Sequence, residues 1–317
     1  MTTPRPPRAT LYTFPGSVWA SVPRLVALEK SYTEDELDEK TVNLGKGENF
    51  SPAFLKLSPN GHVPVLVVPY EHTLDDTIPT KFRALCGTKD ICDFLDASST
   101  RSTSHHSPAL SPATVQRSAD SKEVIEHVHR DDAPDPNKIL LSFRNDDERD
   151  AKYHGMVGAF LKGRQDALER YSKEVGEGET KLKAFYEQKL AENGGLLSMY
   201  EGRSDASEWI KASNAMWAAV PKTLALFESK LEDTAPYLLG DQISLADLHA
   251  GAWFIRILAA AGTTSIPSSP EEVSKALKQL ESNFGPEADK VGPKTERWIE
   301  NLFSRASFKK VYGEGCH

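Results

Sequence analysis

The stretch Asn60-Gly-His-Val-Pro-Val-Leu66 constrains this chain more than any other. Pro64 stands at the mouth of a β-rich run, Val63 to Val68, and proline cannot donate a hydrogen bond to a β-ladder. A cis Val63–Pro64 peptide would turn the chain sharply and leave the N–H and C=O of Val63 facing outward. Those groups could then pair with the main chain of an extended peptide, as one added strand would. An ordinary edge strand with a trans proline satisfies the same constraint, so both readings stand. Val63 and Pro64 are therefore candidate binding residues.

The flanking sequence reads as alternating strands and helices. Ala9 to Phe14 is a short strand, and Pro15-Gly16-Ser17 breaks it. Val22, Leu25, Val26 and Leu28 recur at helical spacing across 20–30, with Pro23 in the first turn, where its missing N–H costs little. Thr41 to Leu44 reads as a second strand, and Ser51-Pro52 as the cap and first position of a short helix. Val63–Val68 is a third strand, with room for a hairpin partner near Thr73-Leu74. Gly87-Thr88 opens a helix with Ile91, Cys92, Phe94 and Leu95 on its apolar side. This is the order of an α/β thioredoxin-like sandwich. Residues 98–107 hold seven Ser/Thr and two His without periodicity, which reads as a linker. Beyond it the pattern is helical over 121–129, 146–175, 179–193, 205–231, 245–260 and 294–312. Two domains follow: an α/β unit over 1–97 and an all-α unit over 98–317, with a linker-like insertion at about 98–120.

Composition removes several function classes. Lys and Arg number 38 against 46 Asp and Glu, a net charge of −8, which argues against a nucleic-acid partner. No apolar run reaches the roughly 20 residues of a membrane span. Three cysteines are too few for a disulfide framework, so a cytoplasmic setting is expected. His127 and His129 lie two apart and do not share a helix face, so a solvated helix end is preferred over a metal site, and no metal is expected. No glycine-rich phosphate loop signals a nucleotide cofactor. Trp209, Trp217, Trp253 and Trp298 fall on helical faces and read as core.

Four segments together, Leu11-Tyr-Thr-Phe14, Leu44 to Leu55, Ser58 to Leu66 and Thr88 to Leu95, resemble the glutathione-binding domain of cytosolic glutathione transferases, fungal members above all. Tyr237-Leu-Leu-Gly-Asp-Gln-Ile-Ser-Leu-Ala-Asp247 resembles that family's folding motif. The motif also stands on physics. Ser244 precedes an apolar run and Asp247 follows three residues on, a capping box contributing roughly 0.5–2 kcal/mol. Ser244 and Asp247 are thus folding residues.

The resemblance implies a glutathione transferase fold and a serine-type active site. Glutathione would be co-substrate, with no separate cofactor, and a small hydrophobic electrophile its acceptor. It also implies a homodimer. A thiol of pKa near ~8.5 is mostly protonated at neutral pH, and a hydroxyl at a helix N-terminus favours the thiolate. Ser17 is the choice for that hydroxyl. Ungapped counting places Val18 at the family's serine position and a one-residue shift restores Ser17, with Ser21 and Tyr12 as fallbacks. Thr88 keeps the hydroxyl of the pair that holds the γ-glutamyl end, but Gly87 stands where the family has an acid, for which Asp90 or an acid from the other subunit is the candidate substitute. Lys46 and His62 fall toward the glycyl carboxylate, and Trp19 toward the acceptor pocket. No cysteine lies in the 15–21 loop, which favours conjugation over thiol exchange. Two alternatives remain. One is a noncatalytic module similar to the gamma subunit of translation elongation factor, suggested by Leu11 to Pro15. The other is a carrier of hydrophobic ligands.

Overall fold

The computed structural model describes residues 8–69, 82–98, 108–130 and 134–317. Its first layer is a four-stranded sheet of order β2-β1-β3-β4. Strand β1 (Ala9–Thr13) pairs in parallel with β2 (Leu37–Thr41) and antiparallel with β3 (Val65–Pro69), which pairs antiparallel with β4 (Phe82–Cys86). Helix α1 (Val18–Glu29) joins β1 to β2, the four-residue α2 (Pro52–Leu55) precedes β3, and α3 (Thr88–Ser98) follows β4. Leu11, Val22, Leu25, Val26, Leu66 and Ile91 are fully buried where α1 and α3 pack on the sheet.

The helical part comprises α4 (Val115–His129), α5 (Pro136–Leu141), α6 (Asp146–His154), α7 (Met156–Lys173), α8 (Thr180–Tyr200), α9 (Ser207–Lys230), α10 (Leu245–Ala260), α11 (Pro270–Glu281), α12 (Pro293–Ser304) and α13 (Ala306–Val311). Helix α10 is its axis, since every residue from Leu245 to Leu258 is buried. A helix apolar on all sides belongs at the centre of a core, and α10 packs on α1, α4 and α5. The Asp247 carboxylate anchors its start. It accepts from the Ser244 amide at 2.9 Å and hydroxyl at 2.6 Å, the Leu238 amide at 2.8 Å and the Trp298 indole at 2.8 Å. No helix among the described residues is long and apolar enough to cross a membrane.

Several expected elements shift. The second strand is Leu37–Thr41, not Thr41–Leu44, because the register Ala9↔Leu37 to Thr13↔Thr41 pairs a polar edge strand whose side chains are mostly exposed. The expected hairpin partner at Thr73-Leu74 lies outside the described residues; β4 pairs with β3 further along. Phe94 is exposed rather than apolar core. Helix α4 starts at Val115, inside the stretch read as linker, where Thr114 caps it by accepting from the Arg117 amide. The single helix expected over 146–175 breaks at Gly155, and that over 294–312 breaks at Arg305. Helices α5 and α11 were unforeseen.

Candidate active site

The β1–α1 turn carries the candidate hydroxyl. The Ser17 amide donates to the Phe14 carbonyl at 2.9 Å, and Ser17 N-caps α1 with Oγ accepting from the Ala20 amide at 3.3 Å. A hydroxyl has one proton and two acceptor sites. Ser17 is half-buried and spends an acceptor site on the cap, so its own proton stays available. Val18, the position given by ungapped counting, is buried in the main core.

The fallbacks are placed differently. Ser21 is 1% exposed; its hydroxyl donates to the Val18 carbonyl at 2.7 Å and therefore accepts from Tyr312, whose hydroxyl lies 2.7 Å away. Ser21 has no proton left to give a ligand. Tyr12 packs its ring edge-on against Phe54 at 6.0 Å in a separate small cluster.

The Val63–Pro64 peptide is cis. Among the described residues, neither the amide nor the carbonyl of Val63 makes a hydrogen bond. The neighbouring turn is closed by Ser58, whose hydroxyl accepts from the His62 amide at 3.0 Å and donates to the His62 carbonyl at 2.9 Å. His62 thus contributes its backbone to the turn.

Thr88 begins α3 and is 8% exposed; its hydroxyl donates to the Trp19 carbonyl at 3.2 Å, tying the first turns of α3 and α1 together. Gly87 has φ +104°, a backbone region that side chains strain to adopt. A side chain placed at 87 would be strained in this conformation. A Cβ there would lie 3.7 Å from the Asp90 carboxylate, so Asp90 stands beside position 87.

Trp19 is half-buried and stacks on His129 with ring centroids 3.9 Å apart. His129 Nε2 lies 2.9 Å from His249 Nδ1, and His127 Nε2 lies 3.0 Å from the Thr223 hydroxyl. The solvated helix end expected for these histidines is therefore incorrect: α4 packs both against the bundle. Burial lowers His129 to about 4 and His249 well below the ordinary value, so both imidazoles are neutral at pH 7. No group of three or more His, Cys, Asp or Glu that could hold a metal occurs among the described residues.

Three cations near these elements escaped the sequence reading. Helices α7 and α8 form a hairpin that folds onto the 44–50 loop, where a side chain at Gly163 would collide with the Gly45 carbonyl and the Tyr186 hydroxyl donates to the Phe50 carbonyl at 2.6 Å. The hairpin brings Arg164 and Lys189 to His62, whose pKa falls first through burial and then through those two charges. Lys46, in a one-turn helix capped by Asn43, is exposed nearby in sequence. The third cation is Arg256 of α10, whose Nη2 donates to the Gly16 carbonyl at 2.6 Å. No periodic pattern signals any of these contacts, which arise from packing between distant elements. A surface cavity of about 490 Å³ lined by Leu28, Glu29, Tyr237 and Arg305 lies at the opposite end of α1 and takes no part in this site.

The sequence model of the family described as glutathione S-transferase, N-terminal domain, matches residues 11–102. No curated protein matches the sequence. Among solved structures, the chain is similar to the beta-etherase LigF from Sphingobium sp. strain SYK-6, with 18% identity, coverage of 96% of this chain and 98% of that one, and a TM-score of 0.57. It is also similar to Gtt2 from Saccharomyces cerevisiae, with 17% identity, coverage of 95% and 99%, and a TM-score of 0.51. A glutathione S-transferase from Sinorhizobium meliloti 1021 gives 19% identity, coverage of 98% and 94%, and a TM-score of 0.51. At these identities the likeness bears on the fold: a thioredoxin-like sheet layer followed by a helical bundle, the glutathione transferase fold.

Proposed function

We propose that this chain is a serine-type glutathione transferase that conjugates glutathione to small hydrophobic electrophiles. The observation that carries the reading is Ser17, a half-buried hydroxyl at the start of α1 that caps the helix as an acceptor and keeps its own proton. Helix α1 contributes positive potential at the same end. A sulfur placed there accepts the Ser17 proton's hydrogen bond and is favoured as thiolate; the thiol proton leaves to solvent. The thiolate then attacks an electrophilic carbon, a C–S bond forms, and the leaving group departs with its bonding pair.

In this reading residues 1–97 bind glutathione and residues 98–317 select the electrophile. The cysteinyl main chain pairs with the amide and carbonyl of Val63, beside Pro64. The γ-glutamyl carboxylate sits at the start of α3, on the Thr88 amide and the amides that follow it, with Asp90 toward the amino group. Lys46 and His62 face the glycyl carboxylate, joined by Arg164 and Lys189. Trp19, held in place by His129, lines the acceptor pocket. No cysteine lies in the turn, so conjugation is favoured over thiol exchange. A cytoplasmic homodimer completes the proposal.

One observation favours a second reading, a noncatalytic or carrier module: Gly87 offers no carboxylate of its own to glutathione. Turnover of 1-chloro-2,4-dinitrobenzene with glutathione decides between them. Conjugation supports the enzyme; retention on glutathione resin without turnover supports the module.

A further inference from the structure

Helix α10 is buried on all sides, yet it carries Arg256 at 3% exposure. Burying a guanidinium costs several kcal/mol unless an anion and hydrogen bonds offset it. Among the described residues, Arg256 makes one hydrogen bond, through Nη2 to Gly16, and its Nε is buried with no partner. The carboxylate whose field it feels, Asp135, forms no ion pair with it and instead caps α5.

Two more buried nitrogens without partners belong to the same neighbourhood: Nη1 of Arg24 on α1 and Nε2 of His317. Tyr312 links them. Its hydroxyl bonds Ser21, its ring lies 5.0 Å from that of His317, and it feels the charges of both Arg256 and Arg24. Arg24 pairs with Glu39 through Nε at 2.9 Å, which leaves its inner face uncompensated. The segment bearing His317 is tied to the end of α10 by the Cys316 amide donating to the Thr264 carbonyl at 3.0 Å.

We propose that Arg256, Arg24 and His317 form a subsite for a carboxylate group, beside the turn that presents Ser17. The guanidinium fork matches a carboxylate, which accepts at two oxygens, better than it matches a single sulfur atom. His317 Nε2 becomes a further donor on protonation. Resting on the transferase reading, this assigns the electrophile's class: a small apolar compound that carries a carboxylate, held between α10, α1 and the segment bearing His317 while its reactive carbon faces Ser17.

The test is calorimetry on the full chain with 4-chloro-3-nitrobenzoate and its neutral counterpart 4-chloro-3-nitrobenzamide. The wild type is expected to bind the benzoate at least about tenfold more tightly. Arg256→Met should bring the two within about twofold, and Arg24→Gln, on the more accessible side, should lose part of the preference with circular dichroism unchanged. Equal affinities in the wild type, or a preference that survives Arg256→Met, overturn the subsite. Should Arg256→Met fail to fold, an undiminished preference in Arg24→Gln overturns it. Glutathione titrated separately distinguishes the two claims. An Arg256-dependent benzoate preference without glutathione binding removes the transferase reading and leaves the subsite. Glutathione turnover without the preference does the reverse.

Discussion

Ser17→Ala separates the two roles a serine at a helix start can have. Among the described residues the side chain makes one bond, accepting from the Ala20 amide at 3.3 Å. That length places the cap toward the weak end of the 0.5–2 kcal/mol range, so alanine should cost about 0.5–1 kcal/mol of stability. The unused proton is the catalytic component. A hydrogen bond to a charged acceptor contributes roughly 1.5–3 kcal/mol, and one pKa unit is about 1.36 kcal/mol. Removing it should raise the thiol pKa of bound glutathione by about 1–2 units, a tenfold to hundredfold loss of thiolate below that pKa. The assay is the pH profile of kcat/KM with 1-chloro-2,4-dinitrobenzene, run beside urea unfolding. Ser17→Thr keeps a hydroxyl and should stay near the wild-type profile. A Ser17→Ala enzyme whose thiol pKa is unmoved, while stability falls by the cap's share, refutes the catalytic role.

Asp247→Ala should be far more damaging, since it orphans four donors, including the buried Trp298 indole; at about 1 kcal/mol or more each, urea unfolding should show a loss of about 4 kcal/mol or greater. Thr88→Val removes the bond to the Trp19 carbonyl and should cost about 1 kcal/mol of stability while weakening glutathione binding in calorimetry. His129 has its pKa lowered to about 4 chiefly by burial, against an ordinary 6.5. The folded state therefore binds fewer protons than the unfolded one between those values. Stability is full above pH 6.5 and falls toward pH 4, by up to about 3 kcal/mol for this group. His129→Gln should flatten that acid limb in unfolding measured across pH. Lys189→Ala should weaken glutathione affinity in proportion to falling salt, because its charge acts on the ligand across solvent; a salt-independent effect counts against that placement.

What the sequence disclosed follows from which interactions are local. Pro64, the Ser51-Pro52 helix start and the Ser244/Asp247 box are short-range signals, and each marks a feature found in the structure. Strand β2 has no signal in the sequence pattern because Leu37-Asp-Glu-Lys-Thr41 lacks apolar alternation: an edge strand with exposed side chains needs only its backbone to pair. Pro136 and Pro270 each sit in the first turn of a helix, α5 and α11, where the missing N–H costs nothing. The division of α12 from α13 carries no glycine or proline; there Arg305 binds Glu29 and the Tyr237 hydroxyl, contacts between distant segments. The candidate site divides in the same way. Ser17, Thr88 and Val63 are visible as local motifs. Arg256 is not, because a helix buried all round gives no periodicity by which one polar residue could be assigned a direction, and only the fold brings it to Gly16. The pairing of His129 with His249 and the approach of Arg164 to His62 were hidden for that reason too.

Where the tripeptide's sulfur lies decides whether Ser17 activates it. A crystal structure of the full chain soaked with millimolar glutathione measures this directly. The predicted result is cysteinyl main-chain pairing with both polar groups of Val63 and sulfur within about 3.5 Å of Ser17 Oγ. Sulfur facing another hydroxyl, or no tripeptide bound along that edge, contradicts it.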